Sequence, residues 1–204
     1  MMAICFSFAF FNIKNKSIFT HVKLNIYPDG GVARIRIFGE MKINKKFGKK
    51  ITNLTSVLNG ATPIACNNEH FGRAENILAP GIGKNMGDGW ETRRSRGKNF
   101  DWLILKCAAA GEINKIQIDT HHFKGNYQDK CSVQAAYINN RASSKSIIKR
   151  SKNWKLLLNK VKLHAHRKHN FSNKLMKNKK INYIRLNIYP DGGISRIRVL
   201  GRAD

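Results

Sequence analysis

Acidic residues are scarce in this sequence of 204 residues, which contains 12 Asp and Glu against 38 Lys and Arg. The resulting net charge of +26 is typical of proteins that bind nucleic acid or an anionic surface, so that class of function is kept as an alternative. The hydrophobic fraction of 42% is close to that of globular domains, which argues against a wholly disordered chain.

Cysteine pairs at metal-ligand spacing are also missing. The four cysteines stand alone at positions 5, 66, 107 and 131, and no C-x-x-C motif occurs. This spacing excludes a zinc finger and favours reduced, mostly buried thiols in a cytosolic protein. We predict no resident cofactor, although a divalent metal ion is left open.

Long apolar runs are absent too. Spanning a bilayer takes about 20 consecutive apolar residues, and the sequence has no such stretch. Residues 1–18 form an atypical N-terminal lead-in whose first charges, Lys14 and Lys16, follow its apolar part, whereas the charge of a signal peptide precedes it. The sequence therefore predicts a cytoplasmic protein with no membrane partner.

The sequence does contain a long internal repeat. Residues 22–39 read VKLNIYPDGGVARIRIFG, and residues 184–201 read IRLNIYPDGGISRIRVLG, with conservative differences and an offset of 162 residues. An offset of this size fits a whole domain rather than a solenoid unit. We therefore predict the closing hairpin of a missing first repeat at 19–40, a linker at 41–52 and a complete second repeat at 53–204.

Each copy alternates apolar and polar residues on both sides of a Pro-Asp-Gly-Gly turn. In the second copy Leu186 and Ile188 precede the turn, and Ile197 and Val199 follow it. This pattern predicts a β-hairpin with one buried face and one basic, polar face. Further strands are predicted at 102–106, 115–120 and 131–138, with a short helix or strand at 154–158. The fold class that this pattern favours is all-β, a β-sandwich.

The densest group of chemically capable side chains lies in a glycine-rich stretch. Its members are Asn85, Asp88, Trp90, Glu91, Arg93 and Arg94. Glycines let a backbone fold tightly around a small ligand, and guanidinium groups match carboxylates in two parallel hydrogen bonds. The spacing fits neither a dinucleotide fingerprint nor a P-loop. The alternative interpretation of the two arginines is a solvated basic strand.

Histidines next to acids provide further candidates. His70 follows Glu69 in a predicted loop, and His122 lies close to Asp119 at a predicted strand end. Such pairs can transfer protons or bind a metal, and the alternative for each is a structural hydrogen bond. The remaining candidates, His164, His166 and His169, lie among lysines and arginines that disfavour a metal ion.

Together, these motifs resemble the allantoicase family. The resemblance runs in the family's order through LNIYPDGG, residues 69–72 (EHFG), 76–81 (NILAPG), 85–94 (NMGDGWETRR), 122–126 (HFKGN) and the second LNIYPDGG. It covers roughly residues 19–138 and 154–201. It implies a two-repeat jelly-roll β-sandwich, similar to galactose-binding domains, that hydrolyses allantoate to ureidoglycolate and urea in purine catabolism.

The substrate implied by this resemblance suggests roles for the candidate residues. Allantoate has a carboxylate and a central carbon with two ureido groups, so releasing urea needs a cation, an acid and a base. We expect Arg93 or Arg94 to hold the carboxylate, with Trp90 and Asn85 as further substrate contacts. The acid and base candidates are Glu91, His70, His122, Asp119 and Asp88.

Two alternatives remain at this point. If the active site uses both repeats, this chain alone is inactive, as a fragment or a gene remnant would be. The chain could instead be a non-catalytic jelly-roll binding module that grips nucleic acid through the basic segment 139–183. Nucleic acid is the less favoured partner, because no aromatic platform is interleaved with the basic residues. A homo-oligomer is left open.

Overall fold

The computed structural model describes residues 9–15, 17–19, 21–39, 50–95, 97, 99–139 and 142–204. The chain divides into two compact units, Met1–Lys42 and Ile43–Asp204, which we describe separately. The predicted linker at 41–52 lies almost entirely outside the described residues. The described part of the predicted lead-in forms neither helix nor strand.

The first unit has no strand among its described residues. Over residues 21–39 most of the apolar side chains that were expected to pack are more than half exposed, including Val22, Leu24, Ile35 and Ile37. The prediction of a hairpin here is therefore wrong. The second copy of the motif shows the reason, because its two strands are stabilised by other strands of their domain and not by each other.

The second unit is a β-structure with one short helix among its described residues. Its strands are β1 Thr52–Asn53, β2 Thr62–Cys66, β3 Trp90–Glu91, β4 Asp101–Asp119, β5 Lys130–Ala136, β6 Lys155–Lys162, β7 Lys168–Phe171, β8 Ile181–Tyr189, β9 Gly193–Ile194 and β10 Arg196–Ala203. The helix is α1 Ser144–Ser151, and 3-10 turns occur at Val57–Asn59, Ala74–Leu78 and Met86–Asp88. The predicted all-β class is confirmed.

Strand β4 is long enough to belong to two groups of strands. Its first part pairs with β2 and β8. Strand β8 also pairs with β5, and β5 pairs with β6, so this group continues to β6. Its last part pairs with β10 and β7, and β10 extends the group to β1. Residues 102–106 and 115–120 were predicted as separate strands, whereas the structure joins nearly all of both in β4.

The second LNIYPDGG segment connects these two groups rather than forming a hairpin. Its first strand, β8, pairs with β4 and β5, whereas its last strand, β10, pairs with β4 and β1. The prediction of a hairpin at 184–201 is therefore wrong. Alternation of apolar and polar residues reports that a strand has a buried face, but it carries no information about which strand lies beside it.

One core lies between the two groups of strands. It includes Leu103 and Leu105 from the first part of β4, Ile116 and Ile118 from the last part, and Leu186 from β8, each fully buried. A smaller cluster lies on the other face of the first group, where Ile104 and Tyr183 pack beneath Ile147 of α1. The two groups of strands are thus the layers of a sandwich, and α1 covers part of one outer face.

Helix α1 was not predicted. Ser143 caps it by accepting a hydrogen bond from the backbone N–H of Ser146 at 3.3 Å, and Lys149 and Arg150 lie in its last turn, where cations are favoured. Only Ile147 and Ser151 of this helix are buried, so its apolar pattern is too short to predict a helix from the sequence. Residues 155–158 of the undecided segment 154–158 form the first half of strand β6.

The described cysteines are free thiols, as predicted from their spacing. Burial raises the pKa of Cys107 and of Cys131 to about 12, so both remain protonated and behave as apolar core residues. No helix among the described residues is both long and apolar enough to cross a membrane.

His169 makes stability depend on pH. Its Nδ1 donates to the carbonyl oxygen of Ile118 at 3.2 Å, and its Nε2 accepts from the backbone N–H of His164 at 2.9 Å, so the ring is held neutral. Burial is the largest cause that lowers the pKa of His169 below the ordinary 6.5; the hydrogen bond to Ile118 opposes it, and electrostatic repulsion from His164 and Arg167 adds to it. The unfolded chain therefore takes up this proton first as the pH falls.

We expect the free energy of unfolding to be highest above pH 6.5 and to fall below it, by at most about 1.4 kcal/mol per pH unit for this group. Urea titrations at pH 7.5 and 5.5 measure the difference. In His169→Gln the difference should shrink, because Gln retains a donor and an acceptor but has no proton to gain. An equal pH dependence in both proteins would contradict this assignment.

Candidate functional site

The glycine-rich stretch forms a loop that β10 holds in place. Arg198 donates from Nη2 to the carbonyl oxygens of Ala79 and Gly81 at 2.7 and 3.0 Å, and Arg196 donates from Nη1 to that of Asp88 at 2.6 Å. Arg196 is only 6% exposed. The basic, polar face predicted for this strand is present, and its guanidinium groups satisfy backbone carbonyls of the loop.

Glu91 lies at the centre of the best-connected predicted residues. The side-chain amide of Asn126 donates a hydrogen bond to Oε1 of Glu91. The backbone N–H of His70 donates to the carbonyl oxygen of Glu91 at 3.0 Å, so the loop that carries His70 is held against β3. The His70 ring is exposed and packs edge-on against Phe71. Asn126 was in a quoted motif, but its spacing gave no sign of this contact.

Two other acid–base candidates form hydrogen bonds with the backbone of this loop. Nε2 of His122 donates to the carbonyl oxygen of Gly83 at 2.8 Å. Oδ2 of Asp88 accepts from the backbone N–H of Lys84 at 2.6 Å, which closes the turn that begins there. Asn85 is exposed beside them. The structure therefore brings Asn85, Asp88 and His122 to one loop, next to the Glu91–Asn126 pair.

Asp119 and Trp90 are both buried side chains with hydrogen-bond partners in the backbone. Asp119 is 4% exposed, and its Oδ1 accepts from the backbone N–H of His121 at 2.9 Å. Trp90 is fully buried, and its Nε1 donates to the carbonyl oxygen of Asn68 at 2.9 Å. We therefore correct both assignments: Asp119 ends β4, and Trp90 anchors β3 in the core.

Arg93 and Arg94 follow β3 closely in the chain and lie at the rim of a cavity of about 750 Å³. A cavity of this size suits a small metabolite. The other cations of its lining are Lys152 and Arg185, and its carboxylate is Asp101. The amides of Asn67, Asn68 and Gln134 and the rings of Phe100 and Trp102 complete most of the wall. The cavity is therefore cationic overall, which suits an anionic ligand.

Arg185 is the buried cation of this cavity, with 4% exposure. Its Nε donates to Oδ1 of Asn187 at 3.0 Å and its Nη1 to Oγ of Ser151 at 2.7 Å, and its guanidinium lies 4.7 Å from the ring centre of Trp102. Burial lowers the pKa of Arg185. All of these partners are neutral, and Arg185 forms no ion pair with a carboxylate among the described residues.

Asp101 is the other buried ionisable group of the cavity. Its Oδ1 accepts from the side-chain amide of Asn67 at 2.7 Å, whereas its Oδ2 is buried without a hydrogen-bond partner. The sequence analysis missed both Asp101 and Arg185. Arg185 carried one available signal, since it sits in the repeated motif where the first copy has Lys23, but strand alternation alone suggested that it faces solvent.

No group of three or more His, Cys, Asp or Glu side chains in the described ranges is arranged to hold a metal ion. His121 stacks on His166 with ring centres 4.1 Å apart, and the backbone N–H of His122 donates to Nδ1 of His166 at 3.0 Å. These contacts use the histidines in packing and hydrogen bonding at one corner of the domain.

Comparison with known proteins identifies the family of this chain. The sequence model of the Allantoicase repeat matches residues 7–42 and 52–204. The chain belongs to the allantoicase family. Both stretches that contain LNIYPDGG fall within the match, so the allantoicase repeat accounts for the internal duplication that the sequence displays.

Curated relatives agree with this membership. The chain is 45% identical over 192 residues to a probable allantoicase of Acinetobacter baylyi and 46% identical over 191 residues to one of Photobacterium profundum. These alignments take in 94% and 93% of this chain but only 57% and 58% of the relatives. The chain thus spans a little over half the length of these allantoicases.

Solved structures confirm the jelly-roll β-sandwich. Allantoicase from Saccharomyces cerevisiae matches with a TM-score of 0.64 and 34% identity, over 74% of this chain and 43% of that one. A family 32 carbohydrate-binding module from C. perfringens NanJ, solved with galactose, matches with a TM-score of 0.51 and 14% identity, over 74% of this chain and 98% of that one. The second likeness concerns the fold alone.

Proposed function

We propose that this chain hydrolyses allantoate to ureidoglycolate and urea. The family membership supports the reaction, and the cationic cavity bordered by Arg93 and Arg94 supports an anionic substrate. The observation that carries the proposal within the chain is the Glu91–Asn126 pair, because a carboxylate held by an amide and carried on the strand that leads to Arg93 is a suitable base.

The proposed reaction balances with water as the only co-reactant. Glu91 takes a proton from water, and the oxygen forms a bond to the central carbon of allantoate. The bond from that carbon to one ureido nitrogen breaks, and this nitrogen is protonated as urea leaves. His70 and His122 are the proposed acids for that proton. Arg93 or Arg94 holds the carboxylate through its guanidinium fork.

Glu91→Gln tests the base directly. We expect about 100-fold slower urea release, because loss of a positioned general base typically has at least this effect. His70→Asn and His122→Asn are measured beside it, and Glu75→Gln is the matched control, since Glu75 forms only an exposed pair with Arg73. Near-normal turnover in the Glu91, His70 and His122 variants, or no urea release by the folded wild-type chain, would contradict the proposal.

The alternative function predicted from the charge, nucleic-acid binding by a non-catalytic module, is separated by a second titration. Association through phosphates weakens steeply as salt rises. Salt-sensitive binding of a short duplex together with absence of urea release would favour the alternative over hydrolysis. A cytoplasmic location and a homo-oligomer remain predictions.

A further inference from the structure

The outer face of the sheet formed by β4, β8 and β5 carries a connected row of polar groups. The side-chain amide of Asn187 donates to Oγ of Ser132 at 3.2 Å and to Oε1 of Gln134 at 3.1 Å. The amide of Gln134 donates in turn to the carbonyl oxygen of Trp154 at 2.9 Å. This row leaves Oδ1 of Asn187 as an acceptor aimed at Arg185, so the guanidinium is fixed before any ligand arrives.

The orientation of Arg185 leaves part of its donor capacity unused. Nε and Nη1 donate to Asn187 and Ser151, while Nη2 has no protein acceptor in the described part of the chain. Nη2 is not fully buried, and Arg185 lines the cavity. This nitrogen is therefore accessible to a ligand there. A guanidinium that is buried, fixed by neutral groups and short of one acceptor is suited to an anion.

We propose that Arg185, at the floor of this cavity, is a further carboxylate-binding residue beside Arg93 and Arg94 at its rim. The ligand class is a small carboxylate that also carries amide or ureido groups, because Asn67, Asn68 and Gln134 offer matching donors and acceptors. That the carboxylate belongs to allantoate rests on the proposed function. The anion site itself rests on the contacts of Arg185.

Asp101 contributes selectivity to the same site. Its carboxylate is buried at the cavity wall and oriented by Asn67, so a second negative group placed nearby would be repelled. Next to Asp101, the site therefore favours a neutral polar end of the ligand over a second carboxylate. Allantoate offers such an end, because its ureido groups are neutral.

Calorimetric titration of the full chain with allantoate and with its uncharged carboxamide tests this inference. Arg185→Gln should weaken allantoate binding by about 10- to 100-fold, the usual range for a hydrogen bond to a charged group, and leave carboxamide binding unchanged. Arg185→Lys should recover only part of the affinity, since an ammonium lacks the planar fork. Arg202→Gln, an exposed arginine outside the cavity, is the matched control.

The outcomes separate this site from the proposed function. Equal binding of allantoate and carboxamide by the wild-type chain overturns the anion site even if no Arg185 variant folds. Unchanged allantoate affinity in folded Arg185→Gln overturns it as well. Arg185-dependent binding without urea release supports the anion site and contradicts the proposed hydrolysis.

Discussion

Gly111→Ala should unfold the second unit or destabilise it by about 4 kcal/mol or more, among the largest effects of a single substitution. A Cβ at this position would lie 2.1 Å from the carbonyl oxygen of Arg202 and within 3.0 Å of the backbone of Ala203. Those atoms belong to β10, which pairs with β4 at this point. Relief of the clash would therefore require separating the two strands.

The location of Gly111 explains why the effect should be global. The pairing of β4 with β8 is interrupted between Lys106 and Gly111, and the pairing with β10 begins at Gly111. This position is where one strand passes from one layer of the sandwich to the other. A defect here disturbs both layers, so the whole domain should lose stability cooperatively.

Gly125→Ala is the control for this prediction, because a Cβ at Gly125 would meet no atom within 4 Å and its φ is not positive. We expect that variant to stay within about 0.5 kcal/mol of the wild type. Urea denaturation followed by circular dichroism measures both. A Gly111→Ala protein as stable as Gly125→Ala would show that β4 and β10 do not approach this closely.

Phe123→Ala should reduce the free energy of unfolding by about 3–5 kcal/mol, the range for truncating a buried aromatic ring. The ring is fully buried. It fills the space left by two glycines, since a Cβ would lie 1.9 Å from it at Gly193 and 2.9 Å from it at Gly89. Both positions are glycines, so neither has a side chain that could fill the cavity left by the missing ring.

The loss should also reach the candidate site. Gly89 immediately precedes β3, the strand that contains Glu91. Gly193, in β9, is the pairing partner of Glu91. We therefore expect Phe123→Ala to release urea more slowly even at temperatures where it is folded. Phe71→Ala is the control, since its ring is 66% exposed, and thermal unfolding followed by fluorescence compares the two. Equal stability of both variants would contradict the packing described for Phe123.

The alternation of apolar and polar residues along a strand explains which features of the fold were predicted from the sequence. The apolar positions of β8 and β10, such as Leu186 and Ile197, were placed in the core as predicted, because period-two patterning fixes which face is buried. The partners of these strands were not predicted, since β4 lies far from them in the sequence. The close contact at Gly111 depends on that pairing and was equally hidden.

The candidate site was predicted in part for a related reason. The glycine-rich motif indicated Glu91, Arg93 and Arg94, because a carboxylate can act as a base and guanidinium groups can bind a carboxylate. Arg185 was overlooked because a polar residue between Ile184 and Leu186 indicates a solvent-facing position, whereas α1 and the loop before β4 enclose that face. Trp90 shows the converse error, since its neighbourhood suggested a ligand contact and its burial gives it a core role.

The central claim is that this repeat binds allantoate through its carboxylate in the cavity lined by Arg185. A crystal structure of the chain with allantoate measures this directly. We expect the carboxylate within hydrogen-bonding distance of Nη2 of Arg185, with a ureido group against the amides of Asn67, Asn68 or Gln134. A carboxylate bound elsewhere on the domain, with the Arg185 cavity empty, would contradict the account.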